Sequence, residues 1–179
     1  MPTAVQKMSL EEFLAQPGET FHDFHELHDG EVVEVPPPTL QHMQVQELLR
    51  AILHERCSSA GYWARAEFYL TLPTESRRVD VALIKAERLA KQPRNRVFAG
   101  APELVVEVLS PSNMALDLDR LRNACFKDEC IEFWIVNMEL RTVTVYSQDF
   151  KVELYLEGNE IPLTSFADVA PVPVEGIFE

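Results

Sequence analysis

The sequence predicts a mixed α/β domain built around one central sheet. Three observations carry that expectation. Short apolar runs bounded by turn residues, RRVDVALI and APELVVEVLSPS above all, read as strands buried on both faces. A longer stretch after Thr39 repeats apolar residues at helical spacing. The two kinds of segment follow one another as helix, hairpin, helix, strands, helix, strands, with no repeat or linker to divide them, so residues 1–179 are expected to form a single domain with a substantial core.

The elements follow in order. Ser9 and Glu12 form an S-x-x-E capping box for a short helix over 9–16, with Phe13 and Leu14 on its buried side and Pro17-Gly18 ending it. Asp29-Gly30 is a hairpin turn between FHDFHEL and EVVEV. His22, His25 and His28 recur every third residue within that hairpin, a spacing that alternates faces in an extended strand and does not gather a metal site. Pro36 to Pro38 stop the second strand, and Thr39 caps a helix over 40–57 with a stripe of Val45, Leu48, Leu49, Ile52 and Leu53. Gly61 precedes the strand YWARAEFYLTL, then come RRVDVALI, a charged helical or loop segment over 85–100, and APELVVEVLSPS. A helix is expected over 115–127. IEFWIVN is a buried strand, RTVTVYS alternates as a half-buried one, and KVELYLEG and IPLTSF supply short strands before Pro171 and Pro173 discourage regular structure.

Composition narrows the function classes. Hydrophobic residues make up 46% and charged residues 25%, as in ordinary globular proteins, but the formal net charge is −13. That charge opposes non-specific nucleic-acid binding, so a DNA partner would need a local basic patch, a metal, or both. The three cysteines, Cys57, Cys125 and Cys130, include no CxxC pair, which argues against a disulfide framework and for a reducing cytoplasm. No signal-peptide pattern opens the chain, and no apolar stretch approaches the roughly 20 residues that span a bilayer, so no membrane role is expected.

Two acids stand out because of where they sit. Asp80 lies between Val79 and Val81, and Glu107 between Val106 and Val108. A carboxylate in a buried strand is costly unless it meets a cation, a metal or hydrogen-bond donors. Singly, each is explained by an arginine partner or a strand end; together they suggest a site for a hard divalent metal.

The series HELHDGEVVEVPPPTLQHMQV, RRVDVALI, GAPELVVEVLSPS, EFWIVN and RTVTVY resembles the Uma-type family of restriction-endonuclease-like proteins, within the PD-(D/E)XK nuclease superfamily. The resemblance covers residues 8 to 147, and APELVVEVLSPS is its most specific part. It implies a restriction-endonuclease-like mixed central sheet flanked by helices, here with an N-terminal helix and hairpin. It also implies metal-binding acids on two adjacent strands, Asp80 and Glu107, with Glu26 at the glutamate before the hairpin glycine and His42 at the start of the first long helix. The implied cofactor is Mg²⁺, with Mn²⁺ able to substitute, and the implied partner is DNA, as the substrate of a homodimer.

The departures bear on catalysis. Val79 replaces the family's proline before the aspartate. The superfamily's lysine position, two residues past the second acid, is Leu109, and the family's alternative lysine position on the following helix falls on Leu121, with Cys125 where tyrosine is common. Arg120 and Arg122 flank Leu121, each about 100° away around the helix, and a long arginine could reach back to stabilise charge without serving as a base. Three classes therefore stay open: a metal-dependent endonuclease acting on DNA phosphodiesters, a catalytically degenerate protein of the same fold serving as a binding or assembly module, or an unrelated α/β domain whose acids are structural.

Overall fold

The computed structural model describes residues 7–18, 21–110 and 115–179. Pro111 and Ser112, which close the expected strand motif, lie outside the described residues. Helix α1 (Leu10–Leu14) carries both reciprocal bonds of the capping box: Glu12 N donates to Ser9 Oγ at 3.2 Å and Ser9 N to Glu12 Oε2 at 2.8 Å. Phe13 is buried, whereas Leu14 is exposed, against expectation, because the helix ends there and only one residue per turn meets the core. The first half of FHDFHEL is a helical turn, α2 (Phe21–Phe24), rather than strand. Its four residues include Phe21, whose ring stacks on His25 at 4.3 Å, and that local aromatic contact competes with extension. Strands β1 (His25–His28) and β2 (Glu31–Glu34) then pair across Asp29 and Gly30, whose φ angles of 47° and 83° are those of a type I′ turn.

Helix α3 (Leu40–Cys57) starts at the Thr39 cap, which accepts from His42 N at 3.2 Å. Strands β3 (Tyr62–Leu72) and β4 (Glu75–Lys85) form a long antiparallel hairpin, followed by helix α4 (Ala86–Lys91) and the two-residue strand β5 (Phe98–Ala99). Strand β6 (Leu104–Val108), helix α5 (Ala115–Phe126) and strand β7 (Glu132–Asn137) make a parallel crossover unit. Strands β8 (Thr142–Ser147) and β9 (Val152–Leu156) extend the sheet, and β10 (Glu160–Ile161) pairs with β11 (Val172–Pro173), so Pro173 closes a short bridge despite the neighbouring prolines.

The sheet runs β2-β1-β4-β6-β7-β8-β9, with β3 along the other edge of β4. Each face has its own core. Val45, Leu49 and Leu53 of α3 pack with Val81, Leu83, Val106 and Trp134; Leu121 and Cys125 of α5 pack with Ala82, Ile84, Val105 and Phe133. Truncating Leu49, which is fully buried, to alanine would cost about 2–5 kcal/mol. All three cysteines are free and buried. Among the described residues no helix is long and apolar enough to cross a membrane.

One irregularity positions the site. Glu67, in the middle of β3, has φ 49° and falls out of the ladder between the pairs Ala66–Val81 and Phe68–Val79. Its missing partner is Asp80. On either side of this point, residues of equal parity serve opposite cores: Tyr62 and Ala64 one, Leu70 and Leu72 the other, and likewise Val81 and Val79. The hairpin thus turns over at Glu67 and Asp80. A non-glycine residue in the left-handed region costs of order 1–3 kcal/mol and persists where its surroundings enforce it.

Candidate active site

β4 is shared by two neighbours on one edge. Its beginning pairs with β1, Leu27 opposite Ser76, and its end with β6, Val81 opposite Val106. Asp80 sits between these contacts. One step past Val81–Val106, the same register sets Asp80 against Glu107 on the adjacent strand. Both line a cleft of about 450 Å³ together with Glu26, His28, His42, Glu67, Arg77 and Asp117, with Pro36 to Pro38 along its wall.

Asp80 is fixed at both oxygens. Oδ1 accepts from His42 Nε2 at 2.9 Å and Gln46 Nε2 at 2.7 Å, and Oδ2 from Val108 N at 2.5 Å. Burial would depress the His42 pKa, but the hydrogen bond and charge of Asp80 raise it overall. Gln46 Nε2 also donates to Glu67 Oε1, tying Asp80 to the irregular residue opposite it. Glu67 in turn pairs with Arg78 Nε at 3.0 Å.

Glu107 is treated quite differently. It is buried, yet among the described residues no hydrogen bond or ion pair reaches its carboxyl. Burial, then repulsion from Asp80 and Glu26, push its pKa well above the ordinary carboxylate value, with Arg77 opposing and Asp117 adding to the rise. The carboxyl therefore holds a proton more readily than any exposed glutamate.

Beside the pair lies an ion network. The β1–β4 register sets Glu26 opposite Arg77 and His28 opposite Glu75. Arg77, 5% exposed, donates through Nε to Glu75 Oε2 at 2.7 Å and forks onto Asp117 of α5 at 2.8 and 3.0 Å. His28 bridges Glu26 Oε2 at 2.7 Å and Asp117 Oδ1 at 3.1 Å. Glu26 Oε1 accepts from Arg78 N at 3.1 Å. Burial opposes every charge here and is outweighed: the hydrogen bonds to Asp117 and Glu26 raise the His28 pKa although Arg77 opposes it. Those to His28 and Arg77 hold Asp117 well below the usual carboxylate range, and His28 and Arg77 keep the Glu26 pKa low.

The structure thus brings Asp80, Glu107, Glu26 and His42 into one cleft and does not bring Arg120 or Arg122 to it. Arg122 pairs with Asp119 at 2.9 Å and lies 4.1 Å from the centroid of the Tyr146 ring, while Arg120 is exposed and lines a different cleft. Neither reaches back over Leu121, because each has a partner or an opening on its own side of α5. Sequence reasoning missed Arg77, His28, Gln46, Glu67 and Asp117. The available signal was charge alternation, E-x-H on β1 facing E-x-R on β4, which marks a polar stripe where an ordinary strand would be apolar.

The donors suit a hard cation: oxygen ligands, with no cysteine lining the cleft. Among the described residues no group of three or more His, Cys, Asp or Glu side chains is arranged to hold a metal ion. Two carboxylates are nevertheless what Mg²⁺ commonly takes from a protein, keeping water in its other positions. A cation between them would also relieve the repulsion that burdens Glu107.

Sheet order, crossover helix and paired acids define a restriction-endonuclease-like fold. The family model Uma2, described as "Putative restriction endonuclease", matches residues 10–173, and the chain belongs to that family. A crystal structure of "a putative nuclease belonging to DUF820" from Anabaena variabilis ATCC 29413 is similar at a TM-score of 0.83, with 21% identity over 96% of this chain and 97% of that one. At that identity the likeness establishes the fold alone. No curated protein matches the sequence.

Proposed function

We propose that the chain is a divalent-metal-dependent nuclease that hydrolyses DNA phosphodiester bonds at the Asp80–Glu107 cleft, with Mg²⁺ as the natural ion and Mn²⁺ able to replace it. The observation that carries this reading is Glu107: a buried carboxyl, facing other carboxylates, with no hydrogen bond or ion pair of its own among the described residues. A structural role gives a buried acid a partner, as Glu75 has in Arg77; a ligand role leaves it waiting for a cation. Family membership and the nuclease description of a similar fold support the same class.

The chain's own residues divide the work. His42, Gln46 and the Val108 amide hold the Asp80 carboxylate against rotation. Burial and the facing carboxylates favour the protonated form of Glu107, and a bound cation would favour its carboxylate. Arg77 places a fixed positive charge beside Glu107, able to stabilise charge developing on a phosphoryl group but not to act as a base. A bound divalent ion would supply Lewis acidity and lower the pKa of a coordinated water. On this reading the working unit is a cytoplasmic homodimer, since two-fold related sites can address two strands.

One observation favours a second reading, a degenerate member that keeps the metal and has lost the chemistry: no lysine lines the cleft, and Arg77 is already engaged by Glu75 and Asp117. Nicking of supercoiled plasmid in Mg²⁺ separates the two. Nicking that requires Mg²⁺ and is lost in Asp80→Ala supports the nuclease; no nicking by a protein that binds Mg²⁺ supports the degenerate reading.

A further inference from the structure

A second cleft, of about 810 Å³, opens on the far side of the Glu75–Arg77 contact. The turn after β3, the tip of the β1–β2 hairpin and α5 form its walls. Its acids are all engaged. Asp29 meets Lys7 at 2.6 Å, Glu75 accepts from the Asp29 amide at 3.1 Å and from Arg77, and Asp128 accepts from the Ala101 amide at 2.5 Å. Its two cations are not. The side chains of Arg120 and Lys127 in this wall form no ion pair or hydrogen bond among the described residues, and the charge of Arg120 acts across the opening on Asp29. Arg120 lies on α5 and Lys127 just past its last residue, Phe126, on the wall of the same cleft, with Asn123 between them in sequence.

The surroundings add to this. Ala99 on the rim is bonded through its carbonyl and amide to Gln92, at 3.1 and 3.4 Å, and Gln92 belongs to the exposed segment carrying Lys91, Arg94 and Arg96. None of these three forms an ion pair among the described residues either. Elsewhere the chain's cations are mostly consumed by its own acids, as in Arg50–Glu47, Arg88–Glu103, Arg141–Glu157 and Lys151–Asp149. In a chain of net charge −13, two cations without an ion pair thus line one opening, and three more lie on the exposed segment bonded to its rim.

We propose that this second cleft is an anion subsite in which Arg120 and Lys127 take a phosphate group of the nucleic acid, away from the scissile position. The source of the phosphate rests on the nuclease reading; the anion chemistry of the cleft does not. Glu75 lines this cleft and bonds Arg77, which lines the acid-bearing one, so a strand anchored here lies next to the acid-bearing cleft. The subsite also answers the charge problem, because it gives an acidic protein a local place to neutralise phosphates.

The test is the salt dependence of DNA binding by the full chain, read from the anisotropy of a labelled duplex in EDTA so that the duplex survives. Each lost phosphate contact lowers the slope of log K against log salt by about 0.9. The double variant Arg120→Ala/Lys127→Ala loses that one phosphate contact, so it should lose about 0.9 from the slope and bind about tenfold more weakly near 0.1 M salt. Alanine suits a helix, so folding is preserved, and Lys151→Ala serves as the control that changes neither quantity. Parallel titrations with a mononucleotide and with inorganic phosphate identify the source: binding of either, lost in the double variant, supports the anion cleft with a free ligand. If the unaltered chain binds DNA and the double variant retains both slope and affinity, the subsite is refuted while the nuclease reading stands. If the unaltered chain binds neither DNA nor the small phosphates in EDTA, the subsite is overturned, while the nuclease reading stands or falls on Mg²⁺-dependent nicking.

Discussion

Replacing Glu107 by glutamine removes a buried carboxyl that faces other carboxylates while keeping its shape. The carboxyl is buried among Asp80, Glu26 and Asp117, with the charge of Arg77 opposing them. Its pKa in the folded protein lies above its unfolded value, so its contribution is fully favourable below the unfolded pKa, near 4.5, and is lost as pH rises through the folded value. Glu107→Gln should therefore match the unaltered protein near pH 4.5 and become the more stable of the two as pH climbs. Relieving a functional site of this kind commonly yields about 0.5–2 kcal/mol. For a chain of this length, that is a rise in Tm of about 1–8 °C at pH 8. The assay is thermal melting in EDTA across that pH range. A variant that is equally stable or less stable at pH 8, or whose gain is the same at both ends, would refute the idea that Glu107 is held against its own charge.

Other outcomes follow from the same geometry. Arg77→Ala strands Glu75, Glu26 and Asp117 without their buried cation and should cost about 3–5 kcal/mol by denaturant unfolding. Arg122→Ala should leave any plasmid nicking within about twofold of the unaltered rate, since among the described residues the Arg122 side chain meets Asp119 and the Tyr146 ring, interactions worth about 0.5–1 kcal/mol of stability. Leu121→Lys directs an ammonium from α5 into the acid-bearing cleft, which Leu121 already lines, and should speed Mg²⁺-dependent nicking while lowering the melting temperature, because Leu121 is also part of the core.

Much of the architecture is legible in the sequence because it depends on local signals. Thr39 and the stripe from Val45 to Leu53 delimit α3, Asp29-Gly30 demands its turn, and the runs around Asp80 and Glu107 are too apolar to be anything but buried strands. The site is only half legible. An acid inside an apolar strand announces itself, and so Asp80 and Glu107 could be picked out. Arg77, Asp117 and His28 could not, because their meaning lies in register and in the packing of α5 over the sheet, which bring residues 28, 77 and 117 together. Gln46 was hidden for a related reason: it lies within the amphipathic helix α3 and finds Asp80 and Glu67 only once α3 is seated. Glu67 gives no sign at all, since nothing in YWARAEFYLTL marks which residue will take a left-handed backbone. Arg120 and Arg122 stand away from the acid-bearing cleft, since side chains about 100° from Leu121 belong to other faces of α5.

The central claim is that Asp80 and Glu107 form one cation site, and its most direct measurement is the melting temperature with and without Mg²⁺ or Mn²⁺. At a hundredfold excess over the dissociation constant, binding contributes about 2.7 kcal/mol, a rise of about 5–11 °C for a chain of this size. The account predicts that rise in the unaltered protein and its loss in both Asp80→Ala and Glu107→Ala. Melting curves that neither ion moves, or that both variants reproduce in full, would contradict it.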